Sequence, residues 1–189
     1  ATAFAGIVVV PLNTRWSPDE IAFVLNDSGS RLLVVDERFA SCREQLAGKL
    51  QIVSGYLFAG DAAPPDGMAA YEELLGRSPV PASFPEPDEN DLAGLFYTSG
   101  TTGGPKGVML THKNLVANAF HALSDLHISR DWTWLHSAPM FHLANGSAMY
   151  AMVMCAAKHC FIPSFEPEAL LKAVERHRVT SVLLVPTMM

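Results

Sequence analysis

The chain is short of positive charge. It has 13 Lys and Arg against 19 Asp and Glu in 189 residues, for a formal net charge of −6. No basic stripe gathers the few cations, so a nucleic-acid partner is not expected. Any anion the protein binds must be gripped locally. Cysteine is scarcer still: Cys42, Cys155 and Cys160 are odd in number and form no CxxC pair. That pattern argues against a metal site or a disulfide framework and reads as buried free thiols in a reducing cytoplasm. The seven histidines show no HExxH spacing, and no GxSxG elbow is present, which leaves no zincin helix and no nucleophile turn. The opening ATAFAGIVVVPLN has no basic n-region, so no signal peptide is expected. Trp132 to Ala157 contains no Asp, Glu, Lys or Arg. Pro139, His136, His142 and Asn145 interrupt it, however, and the segment reads as a buried strand, loop and helix rather than an integral membrane segment. Cytoplasmic localisation is the expectation.

Apolar residues are abundant, at 49%, enough for one domain or two tightly joined lobes. Short apolar runs alternate with amphipathic ones. GIVVVPL, RLLVVDE and QIVSGYLFAG read as strands. Between the first two, SPDEIAFVLNDSG reads as a helix. Ser17 is its N-cap, Pro18 its first residue, and Glu20 completes a capping box. Ile21, Val24 and Leu25 form its buried stripe, and Gly29 ends it. A short helix at MAAYEELLG precedes Ser78 to Asp91, where four prolines and four acids in fourteen residues make a solvated connector. Then come a strand at LAGLFYTS, an extended piece at GVMLTH and a helix over KNLVANAFHALSDL. A strand at TWLHSAPM, a helix near NGSAMYAMVMCAA, a strand at KHCFIPS, the helix EPEALLKAVERHR and the strand SVLLVPT follow. This alternation predicts an α/β fold of mainly parallel sheets flanked by helices.

Tyr97 to His112, YTSGTTGGPKGVMLTH, differs from everything around it, with four glycines and five hydroxyl side chains besides Tyr97. It follows a predicted strand, where α/β folds place ligand loops. Gly100, Gly103, Gly104 and Gly107 can take backbone angles closed to other residues and let a ligand approach the main chain. Successive N–H groups then suit an anion. Thr98, Ser99, Thr101 and Thr102 add hydroxyl donors, Lys106 adds a point charge, and Pro105 stiffens the loop. The set matches a polyphosphate. It is not a Walker A loop, because Pro105 precedes Lys106 and Gly107 follows it, and GxGxxG is absent.

YTSGTTGGPKGVMLTHKNL resembles the phosphate-loop signature of the adenylate-forming superfamily, which includes acyl-CoA synthetases and the adenylation domains of peptide synthetases. GIVVVPLNTRWSPDEIAFVLNDSGSRLLVVDE is similar to the early part of fatty acyl-CoA synthetases, and SAPMFHLANG to their next shared motif. The resemblance implies that residues 1–189 are part of a large N-terminal domain. Its first lobe would run to about residue 130 with the phosphate loop at 97–107, and a second lobe would start at about 131. The small C-terminal domain would be absent.

The resemblance further implies that the loop grips ATP, Lys106 included, and that Thr98 can reach a magnesium ion. A carboxylate attacks the α-phosphorus, pyrophosphate leaves, and coenzyme A takes the acyl group. Amino-acid-activating relatives carry an aspartate where this chain has His142 after Phe141, so the pattern points to fatty or aryl acids. His142 would then lie beside the carboxylate, with Gly146 leaving room for the acyl tail. Met149, Met152 and Met154 read either as a pliable acyl pocket or as ordinary core. The chain thus reads as a fragment of an acid–thiol ligase, inactive alone and prone to self-association through exposed cut edges. The alternatives are a nucleotide-binding remnant without turnover and a structural α/β module with an empty glycine loop.

Overall fold

A computed structural model of the chain describes residues 2–79, 81, 83–98 and 104–189. The described residues form two compact units. The first comprises residues 1–6, 12–86 and 97–108, and the second residues 7–11, 87–96 and 109–189.

The first unit begins with helix α1, Pro18–Asp27. Its start follows the sequence signals. Ser17 Oγ accepts from the Glu20 N–H at 3.3 Å, and the Glu20 carboxylate accepts from the Ser17 N–H at 2.8 Å. Those bonds hold the Glu20 carboxyl below its ordinary pKa, the backbone bond contributing most. Gly29, with φ of +69°, turns the chain after the helix. Ala22, Val24 and Leu25 are buried while Ile21 is partly so. Strand β1, Leu32–Val35, is followed by the short helix α2, Cys42–Gln45, and by strand β2, Gly55–Phe58. The two-residue strand β3, Ala69–Ala70, leads into helix α3, Tyr71–Arg77. The three strands form one parallel sheet in sequence order, Leu32 opposite Gly55 and Leu57 opposite Ala69. Leu25, Leu33, Leu46, Phe58 and Met68 fill its core.

Strand β4, Leu92–Thr98, pairs with strand β5, Lys106–Thr111. Helix α4, His112–Asp125, starts on a second capping box, Thr111 with Asn114. Asn has the amide oxygen that a Glu or Gln would supply at that position, so the box escapes the usual sequence pattern. Strand β6, Thr133–His136, helix α5, Leu143–Met154, strand β7, Lys158–Phe161, helix α6, Pro167–His177, and strand β8, Ser181–Val182, complete the second unit. Its parallel sheet has the order β7-β6-β8. One core, around Ala119, Trp134, Ala151 and Met152, lies where α4 packs on α5. Another, around Leu135, Cys160, Leu170 and Ala173, joins α6 to β6.

Two expected strands differ. In GIVVVPL only Val9 pairs, through a parallel bridge to Gly94. Its N–H donates to Ala93 at 3.1 Å, and its carbonyl accepts from Leu95 at 2.9 Å. Pro11 has no N–H to continue a ladder, and Ile7 is 56% exposed. SVLLVPT is cut to Ser181–Val182, because Pro186 opens a 3₁₀ turn. All three cysteines are free, and Cys42 and Cys160 are buried. No helix among the described residues is long and apolar enough to cross a membrane.

The sheet of the second unit carries an unusual pair. His136 Nε2 and His159 Nδ1 lie 3.0 Å apart. Phe161 stacks on His136 with ring centroids 4.6 Å apart. The outer nitrogens, His136 Nδ1 and His159 Nε2, are buried and have no hydrogen-bond partner among the described residues. Burial first, and the neighbouring His159 second, push the His136 pKa down to about 4 from 6.5. Burial lowers that of His159 as well. The unfolded chain therefore binds more protons than the folded one between those two values. Stability of this unit is full above about pH 6.5 and falls as pH drops toward 4, by up to about 1.4 kcal/mol per pH unit for one ring. Denaturant titrations across this window should show that slope, and His136→Phe should flatten it. A wild-type profile without slope would contradict the assignment.

Candidate functional site: the glycine-loop stems and the His142 turn

The two groups of residues marked out by the sequence fall in different units, and each is described within its own. The first unit takes from β4 only its end, Tyr97 and Thr98; the Thr98 side chain is exposed. The chain returns through Gly104 and Pro105 to Lys106, the first residue of β5, also exposed. No hydrogen bond or ion pair to the Lys106 ammonium exists among the described residues, whereas Lys49, Lys113 and Lys172 are each paired with a carboxylate. Thr98 and Lys106 are thus presented at the two ends of the loop. Ser99, Gly100, Thr101, Thr102 and Gly103 lie outside the described residues.

Gly104 and Gly107 each lie beside an aromatic ring. Gly107 has no positive φ. A Cβ at Gly107 would come within 2.9 Å of the Tyr97 ring, so that ring fills the space a side chain would need. A Cβ at Gly104 would make ordinary contact, at 3.4 Å, with the ring of Phe23 on α1. Tyr97 also donates its phenol O–H to Asp27 Oδ2 at 2.6 Å. Burial, and then the bond to the Asp27 carboxylate, push the phenol's pKa well up, so it stays a donor. Nothing in the sequence singles out Tyr97 or Asp27, which are seventy residues apart.

In the second unit, MFHLANG builds the entry to α5. His142 is the N-cap in extended conformation, and its carbonyl accepts from Asn145 N at 3.1 Å and Gly146 N at 2.9 Å. Its ring caps nothing. It is exposed and lies tilted against Phe141 at 4.4 Å between centroids, so it is not a core histidine. Asn145, 1% exposed, donates to the Ala138 carbonyl at 2.6 Å and contacts Met140 Sδ at 3.1 Å. Its Oδ1 accepts a long bond from Trp134 Nε1 at 3.5 Å. One side chain therefore ties the turn to β6, a role that the sequence reading missed. Gly146 is buried, and a Cβ there would stand 3.0 Å from the Met140 carbonyl oxygen. That close approach favours glycine independently of any acyl group. Gly146→Val should lower stability by about 1–3 kcal/mol through overpacking, read as a shifted denaturation midpoint; an unchanged midpoint would show that the turn can yield.

The methionines do not act together. Met152 is fully buried in core, and Met154 is 41% exposed. No group of three or more His, Cys, Asp or Glu among the described residues is placed to hold a metal ion. Thr98 offers one neutral oxygen, which fits a magnesium ion held mainly by phosphate oxygens rather than by a protein cage.

The AMP-binding enzyme family matches residues 1–189. The chain is 36% identical to a feruloyl-CoA synthase of an Amycolatopsis species, over 97% of the chain and 34% of that protein. It is 34% identical to a long-chain-fatty-acid–CoA ligase of Thermus thermophilus, over 96% of the chain and 34% of that protein. The chain thus spans about a third of the length of these relatives. Its fold superposes on the o-succinylbenzoate CoA synthetase of Bacillus subtilis in complex with its acyl-adenylate intermediate, with a TM-score of 0.79, 30% identity, and coverage of 99% of this chain and 45% of that one.

Proposed function

The chain belongs to the family of AMP-binding enzymes, and on that premise we propose that a complete protein carrying it is an ATP-dependent ligase that joins a fatty or aryl carboxylic acid to coenzyme A. The observation that carries this reading is that Lys106 and Thr98, the described residues at the two ends of the glycine-rich segment in the first unit, are both exposed, and the Lys106 ammonium has no partner among the described residues. In the first step a carboxylate oxygen bonds to the α-phosphorus of ATP and pyrophosphate leaves. In the second the thiol sulfur of coenzyme A bonds to the acyl carbon, AMP leaves, and the thiol proton passes to solvent.

A carboxylate is a weak nucleophile and repels a triphosphate, so the protein must align the two and offset charge on the phosphoryl oxygens. Lys106 supplies a compact cation for that purpose. Thr98, Ser99, Gly100, Thr101, Thr102, Gly103, Gly104 and Gly107 complete the phosphate grip. A magnesium ion on the phosphates would add charge neutralisation, with Thr98 the residue able to meet it. His142, free of hydrogen-bonding duty in its ring, would face the acid, and the absence of an aspartate at that position disfavours an α-amino substrate. The feruloyl and long-chain relatives act on aryl and fatty acids, which supports that class without choosing within it.

The 189 residues alone should bind ATP without turning it over, since they correspond to about a third of a relative's length. Calorimetric titration of the chain with ATP, with and without Mg²⁺, tests the phosphate grip. Saturable binding, tighter with Mg²⁺, is expected. No binding at millimolar ATP would remove the reading.

A further inference from the structure

We propose that Tyr97 and Asp27 are positioning residues for the phosphate grip, setting the spacing of the two stems from which Thr98 and Lys106 project. The inference rests on the reading of that loop as a phosphate site and goes beyond it, because neither residue belongs to the glycine loop's own donor set.

Three contacts within the first unit carry it. Tyr97, immediately before Thr98 at the end of β4, lays its ring where a side chain at Gly107 would otherwise lie, immediately after Lys106. One stem therefore gauges the distance of the other. The phenol then donates to Asp27 Oδ2 at 2.6 Å, fixing the ring at its far end. Asp27 is the last residue of α1, whose start is pinned by the Ser17–Glu20 capping box. The same helix presents Phe23, whose ring lies beside Gly104. The loop's exit stem is thus backed twice by one helix, directly at Gly104 and through Tyr97 at Gly107.

The placement of Asp27 is itself informative. A carboxylate in the last turn of a helix faces unpaired carbonyls and is disfavoured there by the helix dipole. A carboxylate near a polyphosphate loop would add repulsion. Donation from the phenol offsets part of both costs, because a hydrogen bond to a charged acceptor is stronger than a neutral one. An aromatic ring pinned in this way has few rotamers left, so the Thr98–Lys106 spacing is set before ATP arrives rather than at its expense.

The test is ATP titration of the 189-residue chain, wild type against Tyr97→Phe, Asp27→Asn, Asp27→Ala and the Tyr97→Phe/Asp27→Ala double variant, with thermal midpoints measured alongside. Tyr97→Phe and Asp27→Ala should each weaken ATP about three- to tenfold, the effect of one hydrogen bond. The double variant should be no weaker than either alone, since both remove the same bond. Asp27→Asn, which keeps an acceptor oxygen, should recover most of the affinity. A purely structural bond would instead lower the midpoint and leave ATP affinity of the folded chain unchanged, which would overturn the inference while leaving the phosphate site in place. Additive losses in the double variant would also overturn it. Absence of ATP binding by the wild type would overturn the phosphate reading and this inference together.

Discussion

Lys106→Ala, in a complete ligase carrying these 189 residues, is expected to slow acyl-adenylate formation about ten- to a hundred-fold whichever acid is supplied. The size follows from losing one charge-assisted hydrogen bond, roughly 1.5–3 kcal/mol, felt in the transition state. The independence from the acid follows from place. Lys106 is exposed at the first position of β5, and no carboxylate among the described residues holds its ammonium, so its charge is available to phosphate rather than to the acyl group. Lys106→Arg should rescue poorly, because a planar guanidinium does not replace a compact ammonium. His142→Ala should behave differently. Its ring is exposed at the entry to α5 and caps nothing, and its proposed place is beside the acid. That variant should alter the ranking among acids as well as the rate. Adenylation rates with several fatty and aryl acids separate the two roles. If Lys106→Ala reorders the acids while His142→Ala lowers all of them equally, the roles are reversed.

Asn145→Leu should cost the second unit about 1–3 kcal/mol for each buried partner it strands. The Ala138 carbonyl loses its 2.6 Å donor, and Trp134 Nε1 loses its acceptor at 3.5 Å. The first loss should dominate, since the second bond is already long. Leucine is close in volume, so a cavity does not confuse the result. The variant should therefore unfold at lower denaturant with an unchanged slope. Because Asn145 ties the turn that carries His142 to the neighbouring strand, acid selectivity should loosen even where the variant remains folded. Asn145→Asp keeps an acceptor but loses the amide donor, and should recover little. Wild-type stability in Asn145→Leu would mean that water can replace the amide in that turn.

These two residues mark the boundary of what the sequence made legible. A phosphate role for Lys106 could be proposed from the sequence because it depends on local order: a strand, glycines and hydroxyls, a proline, then one lysine. Helix α1 was legible for the same reason, since a capping box spans only Ser17 to Glu20. Asn145 was not, because its partners Trp134 and Ala138 become partners only when the turn folds back on β6. Tyr97 and Asp27 are farther apart still, and a tyrosine before a glycine loop gives no sign of where its hydroxyl will go. The packing at Gly107 was not legible either. Its missing side chain makes space for the Tyr97 ring, not for a left-handed backbone. Val9 and the residues around it looked like a strand from composition alone. Pairing reduced them to one bridge, because Pro11 offers no donor. Local chemistry was readable, then, while contacts made by tertiary folding were not.

The most direct test of the central claim is exchange of labelled pyrophosphate into ATP, catalysed by a complete ligase carrying this chain, in the presence and absence of a carboxylic acid. Exchange requires reversible formation of the acyl-adenylate and does not need coenzyme A. The account predicts exchange that depends on a fatty or aryl acid and falls about ten- to a hundred-fold in Lys106→Ala. Exchange independent of any acid, or unaffected by that substitution, would contradict it.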